Sequence, residues 1–180
     1  MIPVVGTPVL ADWRSAPPGS LLQVRELPDS GPLASPQIVF RLDDTMANGA
    51  ANSVLVLEGA SAGMIRSATG SQLWPAIDVS DLVELCIRNA GPTRVAGADP
   101  EIGQLVMLLD DQKSPRAACF MAAGYKSDRV GYVCLQSELA EYTPGSIQSQ
   151  LDSSRLLRAG SAEIRELRSL SERRGFNHRS

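Results

Sequence analysis

Residues 53–67 read SVLVLEGASAGMIRS, which is two short apolar runs joined by small residues. Because residues 54–57 are apolar at every position, they are typical of a strand that is buried on both faces of a sheet. Residues 59–63 favour a tight connection, and residues 64–67 resume an extended pattern. This stretch therefore predicts a hairpin at the centre of a β-rich core.

Short apolar segments alternate with turn residues in both directions from this hairpin. Residues 106–109 are again apolar on both faces, whereas residues 22–27 alternate between polar and apolar side chains, as in a sheet with one wet face. The chain is therefore predicted to be mainly β, with a single antiparallel β-barrel or sandwich domain over residues 20–143. The predicted strands are residues 21–27, 37–42, 53–57, 64–67, 82–88, 104–109, 116–123 and 130–136.

Residues 79–87 leave an alternative open. Asp78 or Ser80 could cap a short helix there, because several of the following apolar residues also fit one helical face. We favour a strand for this segment.

Both ends of the chain differ from the predicted core. Residues 1–19 contain four prolines and short apolar patches, which favour an extended N-terminal arm lying along a surface. Residues 144–180 place apolar side chains near helical spacing, with Ser146 as an N-cap. Since Gly160 interrupts this pattern, a helical C-terminal arm is predicted as two pieces, residues 147–158 and 162–173.

Charge separates the body from the C-terminal arm. Residues 1–145 carry ten basic and sixteen acidic side chains, a net charge of −6, while residues 146–180 carry seven and four, a net charge of +3. Such an asymmetry is typical of a tail that docks on an acidic surface or on nucleic acid. Acidic residues are interleaved with the arginines, and aromatic residues are only 4% of the chain, so we predict no nucleic-acid partner.

The motif Gly59-Ala60-Ser61-Ala62-Gly63 matches the G-x-S-x-G nucleophile elbow. An elbow requires a helix after the serine and a histidine base, but residues 64–70 form a poor helix and the only histidine is His178. A small-residue connection between two strands is therefore the preferred interpretation. A serine hydrolase that uses Ser61 remains an alternative function.

Other chemical signals are weak. The pairs Asp43-Asp44 and Asp110-Asp111 lie at strand ends, where carboxylates commonly form turns, and they lack the spacing of a calcium loop. No glycine-rich phosphate loop is present, and the apolar runs are too short to cross a bilayer. We therefore predict no metal, no cofactor and no membrane partner. The N-terminal sequence lacks the features of a secretion signal, which predicts a cytoplasmic protein.

Cys86, Cys119 and Cys134 lie in apolar runs and show no C-x-x-C spacing. If residues 117–123 and 130–135 pair across a two-residue turn at Lys126-Ser127, Cys119 and Cys134 face each other. A cross-strand disulfide is then geometrically feasible, although it is uncommon in an intracellular protein.

An acidic β-core with an extended arm and a basic arm suits a non-catalytic structural subunit of a larger particle. A bacteriophage virion protein, such as a capsid decoration, head–tail connector or tail component, is the most concrete form, and its partners are other subunits in a homo- or hetero-oligomer. Removing residues 1–18 or 146–180 is then expected to leave the core folded. A regulatory or ligand-binding β-barrel module is the alternative. The predicted contact residues are Ile2, Val4, Val5, Trp13, Arg155, Leu156, Leu157, Arg158, Ile164, Arg165, Leu167 and Arg168.

Overall fold

The computed structural model describes residues 11–28, 30–43, 52–68, 70–88, 93–94, 101–124, 130–148, 151–158 and 161–166. Apart from three short 3₁₀ turns, the regular structure of these residues consists of β-strands. The strands are β1 (Ala11–Asp12), β2 (Leu21–Leu27), β3 (Gly31–Arg41), β4 (Ser53–Val56), β5 (Met64–Ser67), β6 (Pro75–Asp78), β7 (Val83–Arg88), β8 (Thr93–Arg94), β9 (Leu105–Leu109), β10 (Pro115–Gly124), β11 (Val130–Ser137), β12 (Ile147–Gln148), β13 (Leu156–Arg158) and β14 (Ser161–Glu166).

Twelve of the described strands form one mixed sheet, and β7 and β14 form a separate two-stranded ribbon. The sheet runs β1-β6-β2-β3-β4-β5-β10-β9-β13-β8, with β11 and β12 on the other side of β10. β10 is long enough to pair with β9 along one half and, in parallel, with β5 at its end. The mainly β prediction is confirmed. The wholly antiparallel barrel is wrong, because the sheet branches at β10 and is not closed into a barrel.

The inner core lies between the two halves of this sheet. Strands β2 to β5 contribute side chains such as Leu21, Phe40 and Leu55 to it, and strands β9 to β11 contribute Phe120 and Val133. Neighbouring residues along each strand point to the opposite face, as the pleat requires. Each half of the sheet therefore presents a second apolar face, which has to be covered by other parts of the chain.

Two outer cores bury those second faces. The first outer core is formed by Leu22, Val39, Val54 and their neighbours in β2 to β6, and it is covered by Trp13 and Trp74. The second outer core is formed by residues of β9, β10, β11 and β13, with Leu139, Tyr142 and Leu151 packed against it. The three cores alternate with the two halves of the sheet, so that β4 is buried along its whole length. The two-sided burial predicted for residues 54–57 is confirmed.

The predicted helical C-terminal arm is wrong for the part of residues 144–166 that the structure describes. The segment that was expected to form a helix over residues 147–158 instead contains β12, a 3₁₀ turn at residues 153–155 and β13. Residues 161–166, which overlap the second predicted helix, form β14 and pair along their whole length with β7. A narrow apolar stripe stabilises a helix only when that helix finds a neighbour to pack on. Here β9 and β7 offer unpaired backbone groups, and their hydrogen bonds determine the outcome.

Each of the eight predicted strands is found, although most of them begin or end at a different residue than predicted. Residues 83–88 form a strand, which confirms the favoured interpretation of residues 79–87 over a helix. β6, which follows Trp74 directly, was not predicted. Part of the predicted N-terminal arm, residues 11–15, belongs to the folded body as β1 and a 3₁₀ turn. No helix within the described residues is long and apolar enough to span a membrane.

Gly63 connects the two halves of the sheet. Its N–H donates to Val56 O (2.9 Å), and its carbonyl accepts from the N–H of Ala123 in β10 (2.9 Å). Gly63 has a φ of +87°, and a Cβ added to it would lie 2.5 Å from the backbone N of Gly103 and 2.7 Å from a methyl group of Ile102. Only glycine fits this approach between the two loops without displacing backbone.

We expect Gly63→Ala to lower the free energy of unfolding by about 1–3 kcal/mol more than Gly70→Ala. Both glycines have a positive φ, so both substitutions carry the same left-handed strain, but a Cβ at Gly70 meets nothing within 4 Å. The difference therefore reports the close contact alone. Urea unfolding followed by tryptophan fluorescence measures both variants, and equal losses would show that the loop at Gly103 does not approach Gly63 this closely.

Candidate functional site

The predicted contact residue Trp13 lies inside the protein. Its side chain is 1% exposed, belongs to the first outer core and stacks on Trp74, with 5.5 Å between ring centroids and 16° between ring planes. The backbone N–H of Trp13 also donates to Trp74 O (2.9 Å), which holds the two segments together. Trp13 anchors the start of the described chain to its own body.

Arg14 fixes the same region from the outside. Its guanidinium forms a salt bridge with Asp12 (2.5 Å) and donates to the carbonyl oxygens of Gly70 (2.9 Å) and Gln72 (2.8 Å). The side-chain hydrogen bond from Arg14 holds the pKa of the Asp12 carboxyl below its ordinary value. These contacts clamp the loop before β6 against the 3₁₀ turn at residues 13–15.

The C-terminal contact residues are also drawn into the body. Leu156 is 2% exposed in the second outer core, and Arg155 Nε donates to Leu109 O (2.8 Å) at the end of β9. Leu157 is half-buried opposite Met107, and Ile164 is half-buried against the inner core. These four residues therefore join β13 and β14 to their own chain.

The remaining contact residues fall into two groups. Arg158 and Arg165 are placed in the backbone of β13 and β14, opposite Val106 and Glu84. The other predicted contact residues lie outside the described residues; they are Ile2, Val4, Val5, Leu167 and Arg168. Among the predicted contact residues that the structure describes, Trp13 and Leu156 are therefore buried in two different cores and do not share one exposed surface. The described part of the chain begins at β1, which is the outermost described strand at one end of the sheet, and ends at β14 in the ribbon.

A buried arginine was missed by sequence reasoning. Arg41 is 3% exposed, and its guanidinium donates to the carbonyl oxygens of Leu42 (2.9 Å) and Ser53 (3.0 Å). Arg41 and Arg66 flank Val54 in one row across β3, β4 and β5, so both point to the face of the first outer core. The sequence contains a weak signal for this burial. Arg41 lies two positions after the apolar Val39, so in a strand the two side chains point to the same face.

Ser61, the candidate nucleophile, and Asp110, a candidate metal ligand, both lie in turns between paired strands. Ser61 lies in a 3₁₀ turn between β4 and β5, which pair as an antiparallel hairpin in agreement with the preferred interpretation. Asp110 accepts hydrogen bonds from the backbone N–H groups of Gln112 and Ser114 and from Arg116 Nε (2.7 Å). The Arg116 hydrogen bond is the main cause that lowers the pKa of Asp110. Asp110 therefore stabilises the turn between β9 and β10.

Cys119 and Cys134 are direct partners across β10 and β11, which confirms the predicted facing of the two residues. The predicted turn at Lys126-Ser127 lies outside the described residues. Both thiols are free and fully buried in the second outer core.

Across the described part of the chain, no group of three or more His, Cys, Asp or Glu side chains could hold a metal ion. Comparisons with known protein families, curated proteins and solved structures find no match for this chain.

Proposed function

We propose that this protein is a non-catalytic structural subunit that assembles with copies of itself and with other protein subunits of a particle. A bacteriophage virion is the most concrete setting. The observation that supports this proposal most directly is the position of β1, which is the outermost described strand of the large sheet and continues the apolar N-terminal segment. The exposed backbone groups of such an edge can accept a strand from a neighbouring subunit.

The composition of residues 1–10 suits this role. The segment MIPVVGTPVL is apolar apart from Thr7, and its two prolines favour extended backbone. Because Trp13 and the Arg14 clamp anchor the chain directly after β1, residues 1–10 are attached to the body at a fixed point. An apolar extended segment attached in this way can bury its side chains on an adjacent subunit.

The C-terminal segment carries a charge opposite to that of the body. Residues 167–180 contain four arginines and one glutamate, whereas residues 1–145 carry a net charge of −6. A basic segment that follows β14 can therefore pair with the acidic body of the next subunit. Charge complementarity of this kind speeds encounter and fixes orientation, and it weakens as salt is added.

Sedimentation velocity over a range of protein concentrations tests the proposal. We expect the full chain to sediment as an oligomer, and a chain of residues 11–166 to sediment as a monomer with an unchanged melting temperature. Arg173→Ala/Arg174→Ala should weaken assembly in low salt, while Arg25→Ala, which removes an exposed arginine from β2, serves as the matched control. A full chain that is monomeric at every concentration, or a shortened chain that assembles equally well, contradicts the proposal.

A further inference from the structure

We propose that Cys119 and Cys134 form a disulfide site that closes by exchange with a small disulfide such as glutathione disulfide and then locks β10 to β11. This inference is independent of the proposed assembly role. It rests on the backbone pairing of the two residues, on the surroundings of their thiols and on the position of the third cysteine.

The backbone places Cys119 and Cys134 at a separation that suits a disulfide. The N–H of Cys134 donates to Ser146 O (2.9 Å), and the carbonyl of Cys134 accepts from the N–H of Gly145 (2.8 Å). Both backbone groups of Cys134 therefore point away from β10, which makes Cys119 and Cys134 a non-hydrogen-bonded pair. In such pairs the Cα atoms lie about 4.5 Å apart. This separation falls within the range of about 4.4–6.8 Å that disulfides span.

The two thiols are neighbours in the second outer core, and the Cys134 thiol donates to Gln136 O (3.7 Å). The interaction with Cys119 lowers the pKa of Cys134, whereas the interaction with Cys134, together with burial, raises the pKa of Cys119. Where the two thiols are paired, Cys134 is the one that ionises first, and we assign it the first attack.

The third cysteine is kept apart from this pair. Cys86 lies in β7, opposite Glu163 of the ribbon, whereas both members of the pair belong to the second outer core. The folded backbone therefore accommodates a disulfide between Cys119 and Cys134 and none that includes Cys86. Cys86 can be replaced without touching the pair, which gives a clean background for the experiment.

The exchange balances in two steps. The Cys134 thiolate attacks one sulfur of glutathione disulfide and releases a glutathione thiolate, which leaves a mixed disulfide on Cys134. The Cys119 thiolate then attacks the Cys134 sulfur and expels the second glutathione thiolate. Two protein thiols are oxidised to one disulfide, glutathione disulfide is reduced to two glutathione molecules, and the two protons pass to the leaving thiolates. Since both sulfurs are buried, exchange occurs while the chain folds or while β11 opens from β10.

The test is to refold the full-length, reduced Cys86→Ala chain in a mixture of reduced and oxidised glutathione, so that burial does not block access. We expect the product to lose 2 Da, to resist alkylation after denaturation and to regain both thiols with dithiothreitol. Closing this short loop should raise the melting temperature by about 6–12 °C relative to the reduced protein. Cys86→Ala/Cys119→Ala, which keeps a single thiol, should gain no intramolecular bond and no increase in melting temperature.

Two results would overturn the proposal. One is a Cys86→Ala chain that refolds in the glutathione mixture but in which both thiols are still alkylated after denaturation. The other is a disulfide that forms but leaves the melting temperature equal to or below that of the reduced protein, because the folded backbone would then not fit the bond.

Discussion

Replacing Trp13 with alanine should lower the free energy of unfolding by about 3–5 kcal/mol. The indole is buried in the first outer core, and its loss leaves a cavity and removes the stacking on Trp74. Equilibrium unfolding in urea, followed by circular dichroism, measures the loss. An effect of this size is expected from a residue of the protein's own core, whereas a residue that only contacts a partner would change assembly and leave the unfolding of the monomer unaltered.

Leu73→Ala is the matched control. Leu73 is adjacent to Trp74 in the chain but 69% exposed, so its truncation should change the free energy of unfolding by less than about 0.5 kcal/mol. If Trp13→Ala is as mild as Leu73→Ala, Trp13 is not packed in the core as the structure places it.

A chain that ends at residue 145 should fail to fold cooperatively. It lacks β12, β13 and β14, so the second outer core loses Leu156 and Leu151, and the inner core loses Ile164. β9 loses β13, one of its two partner strands, and keeps only β10. Loss of near-ultraviolet circular dichroism and binding of a dye for exposed apolar surface measure the failure. A chain that ends at residue 166 keeps all these contacts and is the control. If the chain of residues 1–145 unfolds with the same sharp transition as the control, β13 is not part of the core.

This expectation differs from the one drawn from the sequence, in which removal of residues 146–180 leaves the core folded. The sequence treats those residues as a separate arm because their composition changes after Pro144-Gly145 and their charge is basic. Composition reports what a segment contains but not which distant strand has open hydrogen-bonding groups. β13 and β14 form because β9 and β7 supply such groups, a long-range effect that local patterns do not contain.

The central strands were predictable because their signal is local to their own sequence. Residues 54–57 and 106–109 are so uniformly apolar that only a strand buried on both faces suits them, and both lie between two cores. The facing of Cys119 and Cys134 was likewise predictable, since an assumed turn position fixes the register of a hairpin as far as the first bulge, which lies just beyond this pair, between Ala118 and Cys119. The burial of Trp13 was not predictable from the sequence. Prolines before and after Trp13 suggested an extended arm, and its burial depends on stacking with Trp74, which is distant in the chain.

The branching of the sheet at β10 also bears on the order in which the chain folds. β9, β10 and β11 follow one another along the sequence and pair as a meander, so the loops that join them are short and their closure costs little entropy. The pairing of β5 with β10, and of β13 with β9, joins segments that are far apart in the chain. We therefore expect the meander to form the nucleus on which the two distant segments dock later, with the slowest amide hydrogen exchange in β10.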